Sequence, residues 1–208
     1  MRISSCERGA LPTPQRQPPS RPGGCCEGAG PWELEALRYR FPLSYREPVV
    51  WVSLGLQRLY LYAGRQLSGG YPVSSSRHGV GAREGTYKTP LGVHRIVEKI
   101  GAGSPRGAIF VGRRDTQRIA EVIADPQRCG AGGDLITTRI LRLEGLEAGV
   151  NRGAGIDSLD RYIYIHGTPE EGRLGQPFSK GCIRMANPEI EALCERVPQS
   201  ALVLITRA

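Results

Sequence analysis

What the chain lacks narrows the field first. Its 208 residues contain no window of about 18 apolar residues, so the sequence encodes no transmembrane helix. The opening MRISSCERGALPTPQRQ carries Arg2 but not the roughly 7–15 apolar residues of a secretory core segment. Cys6 likewise has no apolar run before it, which removes a lipoprotein reading. The basic residues are scattered, with no run of five Lys or Arg and no recognised nucleic-acid motif, so no nucleic-acid partner is expected. His78 and His94 stand outside HExxH or CxxC spacing and no zinc pattern occurs, so a solvated or core role is read for each and no metal is expected. GAGSPRG (101–107) is glycine-rich but lacks the Lys-Ser/Thr of a phosphate loop. There are no internal repeats, and six Cys in a chain of this length are not a disulfide scaffold.

What is present is basic and organised in two parts. A net charge of +8 suits anionic partners such as acidic lipid or carboxylate-rich peptides, without choosing among them. Residues 1–48 read as a flexible Pro/Gly-rich tail and lead-in. Cys6, Cys25 and Cys26 fall in that part, and Trp32, Leu34 and Leu37 suggest a helical turn before Pro42 and Pro48. Residues 49–206 read as one domain with a core of its own, since about 150 residues bury about two-thirds of their unfolded surface. A monomer is expected.

The domain reads as mainly β with short helices. VVWVSL (49–54) and QRLYLY (57–62), separated by Gly55-Leu56, form an expected hairpin. Further strands are expected at YPVSS (71–75), GVHRIVEKI (92–100), AIFVG (108–112), LITTRILRL (135–143), RYIYIHG (161–167) and ALVLIT (201–206). DTQRIAEVIADP (115–126) places Ile119, Val122 and Ile123 on one helical face, and Asn187 is expected to cap a second helix with Ile190, Leu193, Cys194 and Val197 inward. Cys194 is then core; a Cys129–Cys194 disulfide is the lesser alternative.

The chemistry concentrates in RYIYIHGTPEEGRLGQPFSKGCIRMANPEI (161–190). In an extended RYIYIH, Tyr162, Tyr164 and His166 share one face and His166 ends the strand at its rim. A Gly/Pro-rich loop returns to Ser179-Lys180-Gly181-Cys182. A thiol with a pKa of about 8.5 is mostly protonated at neutral pH and needs a base or positive surroundings to act as a nucleophile. His166 can be that base, while Lys180 and Arg184 add positive charge. The N–H groups of Gly181 and Cys182 can face a developing oxyanion. These are parts for acyl transfer, although singly a Cys or His at such places is more often structural.

Together these residues resemble the L,D-transpeptidase catalytic domain, the YkuD domain. Its signature of His-Gly, a loop spacer and Ser-x-Gly-Cys-Ile-Arg-Met stands here as His166-Gly167 and Ser179-Lys180-Gly181-Cys182-Ile183-Arg184-Met185. TRILRLEGLEAGVNRG, NPEIEALCE, the opening hairpin and KTPLG (88–92) extend the resemblance over 49–206. It implies a mixed β-sandwich of the L,D-transpeptidase type, with Cys182 as nucleophile and His166 as proton donor and acceptor. It implies that Gly167 orients the imidazole through its carbonyl, that Gly181 and Ser179 support the site, and that Arg184 and Tyr164 bind substrate, Arg184 alternatively ordering the loop or forming a structural salt bridge. Lys180 occupies a variable position. No cofactor is implied. The implied activity is cross-linking of peptidoglycan stem peptides with release of D-alanine, in the periplasm or cell envelope, with carbapenem β-lactams as inhibitors. Hydrolysis of the same stem peptide by an L,D-carboxypeptidase and a non-catalytic wall-binding module are the rival readings.

Overall fold

The computed structural model describes residues 32–41, 47–129 and 133–207. The tail expected over residues 1–31, with Cys6, Cys25 and Cys26, lies outside the described residues. Helix α1 (Trp32–Arg40) precedes β1 (Pro48–Ser53), β2 (Arg58–Ala63), β3 (Gln66–Pro72), β4 (Gly92–Ile100), β5 (Ala108–Val111), β6 (Arg114–Ile119) and β7 (Ile136–Gly145). Then come β8 (Tyr164–Gly167), a 3-10 turn (Glu171–Arg173), β9 (Ile183–Met185), α2 (Asn187–Arg196) and β10 (Leu202–Thr206).

The strands form one mixed sheet in the order β3-β2-β1-β10-β4-β7-β5-β6, from which β8 and β9 branch off β7. The β1–β10 and β8–β9 pairs are parallel and the other pairs antiparallel. Register shifts interrupt the β2–β3, β4–β7, β5–β6 and β7–β8 ladders. Irregularities of that kind bend strands and increase local twist. One core accordingly joins residues from distant parts of the sheet: Val50, Val52, Leu59 and Leu61 pack with Leu141, Ile165, Ile183 and Met185. Ile190 and Leu193 of α2 close this core, so the expected mainly β architecture is the observed one. On the outer face of β1, β2 and β10, Leu34 and Leu37 of α1 pack with Val49, Trp51, Tyr62 and Leu204.

Three local expectations change. The helix read over 115–126 is absent: Gly112 and Arg113 at positive φ (55° and 66°) turn the chain back, and β6 pairs with β5. Ile119 and Val122 stay exposed, so there is no buried helical face, and the Ile123 backbone bonds to Pro169 and Gly172 instead. The strand expected at 71–75 is displaced, because β3 begins at Gln66 and pairs back along β2. Residues 74 and 76 make only isolated bridges, to Arg184 and Ser179. Finally, RYIYIHG is not extended throughout. Tyr162 has φ 56°, which ends the alternation and leaves β8 as Tyr164–Gly167.

Candidate active site

β8 lies between β7 and β9, with Ile165 beside Ile183 and His166 beside Arg184 in parallel register. Paired residues share a face of a sheet. Ile165 and Ile183 are buried in the main core, while Tyr164 and Cys182 pack into a second apolar cluster with Phe110 and Ile140. The thiol immediately before β9 and the imidazole near the end of β8 are thereby placed by adjacent strands. This is why a loop of many residues can separate them in sequence.

His166 is buried, and its Nδ1 lies 2.8 Å from the Gly167 carbonyl oxygen. A carbonyl only accepts, so Nδ1 carries the proton and Nε2 keeps its lone pair. Gly167 can have no side chain: a Cβ there would come within 2.6 Å of the Thr137 carbonyl oxygen and 2.9 Å of Asn187 Oδ1. Burial lowers the His166 pKa, and Arg184 adds to that effect. Asp134 and the Gly167 bond oppose it.

Cys182 is half-buried, and its thiol donates to the Tyr162 carbonyl at 3.4 Å. Burial pushes the thiol up to about 12, against the opposing Tyr164 backbone N–H and the charges of Arg161 and Arg184, with Asp134 reinforcing the rise. The resting pair is therefore a neutral thiol and a neutral imidazole.

The loop before Cys182 is self-bonded. Ser179 is buried, donates its hydroxyl to the Cys182 carbonyl at 2.6 Å and accepts the Gly181 N–H at 3.2 Å. Gly181 has φ 125°, a backbone region in which side chains are strained. Its carbonyl accepts the Thr89 hydroxyl at 2.9 Å, tying the KTPLG segment to the loop. Arg161 donates to the Lys88 carbonyl of the same segment at 2.7 Å and to the Gly81 carbonyl at 3.3 Å.

Arg184 is buried with two acids. It meets Glu170 at 2.8 Å and Asp134 at 3.3 Å, donates to Ser74 Oγ at 3.1 Å, and stands over the Phe178 ring. Its two ion pairs are those of a structural salt bridge, one of the alternatives open to it. Asp134 also accepts the Lys180 backbone N–H at 3.1 Å. Tyr164 is 5% exposed and accepts from Arg113 at 3.3 Å. Asn187, expected to cap α2, follows the Ala186 cap and makes no capping bond. Its side chain accepts from Thr137 and Thr138 and donates to the Thr168 carbonyl and Glu171, pinning the helix to β7 and to the loop after β8.

His94 is buried, bonded to the Gly92 carbonyl and the Ser158 hydroxyl at 3.0 Å each, whereas His78 is exposed beside Tyr87. Cys129 and Cys194 are both free thiols, so the alternative disulfide is not formed, and Cys194 is core. Sequence reasoning does not single out Thr89, Asp134, Arg161 or Glu170. Thr89 lies in the KTPLG motif, while Asp134 follows a turn-rich stretch whose composition carries no signal for its partner.

The sheet defines a mainly β domain in which His166 lies on β8 and Cys182 immediately precedes the paired strand β9. The family model for YkuD, the L,D-transpeptidase catalytic domain, matches residues 47–205, and the chain belongs to that family. Among solved structures, it is similar to L,D-transpeptidase 3 from Mycobacterium tuberculosis bearing a faropenem-derived adduct, at 15% identity and TM-score 0.48, covering 77% of this chain and 60% of that one. It is also similar to an L,D-transpeptidase from Xylanimonas cellulosilytica at 17% identity and TM-score 0.45, covering 85% and 70%. A third similar structure is the Enterococcus faecium L,D-transpeptidase C442S mutant, at 15% identity and TM-score 0.46, covering 77% and 50%. The chain thus spans less than two-thirds of the first of these. No curated protein matches it.

Proposed function

We propose that the protein is an L,D-transpeptidase of the cell envelope that acts through a thioacyl-enzyme on Cys182. The observation that carries this reading is the Nδ1 bond from His166 to the Gly167 carbonyl, 2.8 Å long, on the strand beside Cys182. It leaves an imidazole lone pair on the nitrogen that can receive the thiol proton.

In this mechanism the Cys182 sulfur attacks the carbonyl carbon of the third residue of a stem tetrapeptide as its proton passes to His166 Nε2. Because the resting pair is neutral, proton transfer accompanies S–C bond formation. The Gly181 N–H is engaged by Ser179, so the Cys182 N–H is assigned to the oxyanion. Collapse breaks the amide C–N bond, and departing D-alanine takes the proton from His166. An acceptor amine then attacks the thioester, gives its proton to His166, and releases the Cys182 sulfur, which recovers the proton. Water in place of the amine would make the reaction a carboxypeptidase trim.

Incubation with a carbapenem should add its mass to the intact protein, with the adduct on the Cys182 peptide. A folded protein with unmodified Cys182 would overturn the mechanism. His166→Ala should slow acylation by about 10²–10⁴ in protein that still folds, and an unchanged rate would remove His166 from the role. With stem peptides, 3→3 dimers support transpeptidation and tripeptide alone supports hydrolysis. The latter result would replace the first reading with the second.

A further inference from the structure

Two guanidinium groups, Arg161 and Arg184, act on the thiol, and a third, Arg113, reaches the two tyrosines whose backbones flank it; the three are not equally available to a ligand. Arg184 is buried against Glu170 and Asp134. Arg161 is committed to the Lys88 and Gly81 carbonyls. Arg113 differs from both. It sits in the β5–β6 turn, only half-buried, and donates to the neutral Tyr164 hydroxyl at 3.3 Å while its guanidinium stands 5.6 Å from the centre of the Tyr162 ring. Among the described residues no carboxylate lies in ion-pair contact with it; Glu98, which pairs with Arg142 at 3.5 Å, acts on it only from farther away.

The two tyrosines holding Arg113 are those whose backbones flank the nucleophile. The Tyr162 carbonyl accepts the Cys182 thiol, and the Tyr164 backbone N–H is directed at the same sulfur. Arg113 and Tyr162 both have positive φ, 66° and 56°, an uncommon conformation for residues of this size. The Tyr162 ring is 56% exposed, so a ligand can lie against it. A guanidinium seated on an aromatic face keeps donors on its edge for a carboxylate.

We infer that Arg113, held by Tyr162 and Tyr164, is a substrate-recognising residue that binds a free carboxylate placed about one residue from the carbonyl Cys182 attacks. The inference deepens the proposed acyl transfer and rests on it for the identity of the natural substrate: a peptide whose leaving residue ends in a free carboxylate. The recognition itself needs only the thiol and Arg113. It also moves the carboxylate-binding role from Arg184, which already has two acids, to Arg113 on the hairpin, which has no acid in contact.

The test reads alkylation of Cys182 by anionic iodoacetate against neutral iodoacetamide, followed on the Cys182 peptide. Arg113→Gln should lower the iodoacetate-to-iodoacetamide rate ratio about ten-fold, the size of one charge-assisted hydrogen bond. Arg113→Lys should restore part of it. Arg114→Gln, which removes one charge from the adjacent β6 position, sets the loss expected from net charge alone. An Arg113→Gln ratio equal to wild type, or lowered no more than in Arg114→Gln, overturns the inference. Because Arg113 is a turn residue, melting curves of all three variants identify any loss through unfolding; if Arg113→Gln melts early, Arg113→Lys and Tyr164→Phe, which removes the hydroxyl holding the guanidinium, decide by the same ratio.

A second arm compares tetrapeptide donors ending in a carboxylate or a carboxamide. Wild type should favour the acid through KM, and Arg113→Gln should lose that preference. If wild type turns over neither donor while the alkylation ratio still depends on Arg113, the transpeptidase reading fails and carboxylate recognition stands. Turnover of both donors with no dependence on Arg113 overturns carboxylate recognition and leaves the acyl transfer standing.

Discussion

At the scale of single residues, burial sets the chemistry. His166 and Cys182 are both driven toward their neutral forms by loss of water, and Arg184 keeps its charge inside the protein through Glu170 and Asp134. His94 gives the same effect a measurable consequence. Burial lowers its pKa to about 4, against the Gly92 carbonyl and Glu147. Below an unfolded value of about 6.5 the unfolded chain takes up the proton first, so stability falls as pH drops from 6.5 toward 4. The full span is worth about 3 kcal/mol. His94→Gln should flatten urea-derived stability across that interval; curves that stay parallel to wild type would remove His94 as the cause. The motif residues Cys182, His166 and Gly167 could be picked out from sequence. The protonation states of Cys182 and His166 could not, because desolvation depends on neighbours distant in the chain.

Strands and loops place those groups. β8 is held between β7 and β9, and Asn187 fastens α2 to Thr137 and Thr138 of β7. Gly167 lies where these elements meet, which leaves no room for a methyl group. Gly167→Ala should cost about 1–3 kcal/mol in denaturant titration, as overpacking does, and should slow acylation by shifting the carbonyl that orients His166. Wild-type values of both would mean that the strands separate freely there. Sequence periodicity located β4 over its full length and α2 closely. It failed at 115–126, where three apolar residues imitated a helical face and the tight turn at Gly112-Arg113 was not recognised. The 161–167 run was overextended for a similar reason: nothing in its apolar alternation announces the positive φ at Tyr162.

For the whole molecule, α1 matters although the family match begins after it. Leu34 and Leu37 are buried on the outer face of β1, β2 and β10 with Val49, Trp51, Tyr62 and Leu204. Arg40 adds an ion pair to Glu147 at 2.8 Å. The sequence suggested only a helical turn here, since the apolar pattern is short and its partners lie on strands at both ends of the chain. Leu34→Ala or Leu37→Ala should each cost about 2–5 kcal/mol. Removing residues 1–46 should lower the melting temperature and raise dye binding to the uncovered apolar face. A truncated protein with the wild-type melting temperature would show that α1 contributes nothing to stability.

Sequence alone determined the strand-rich architecture and the signature that places the chain in its family, because both are written in local patterns: alternation, turn residues and a short motif. Tertiary structure alone decided which charges are spent and which are free. Arg184 and Arg113 are the same residue type in the sequence, yet one is enclosed by two carboxylates and the other rests on two tyrosines beside the thiol. That difference arises from the folding of distant strands around Cys182, and the strength of an ionic contact depends on the distances and exclusion of water that such folding produces.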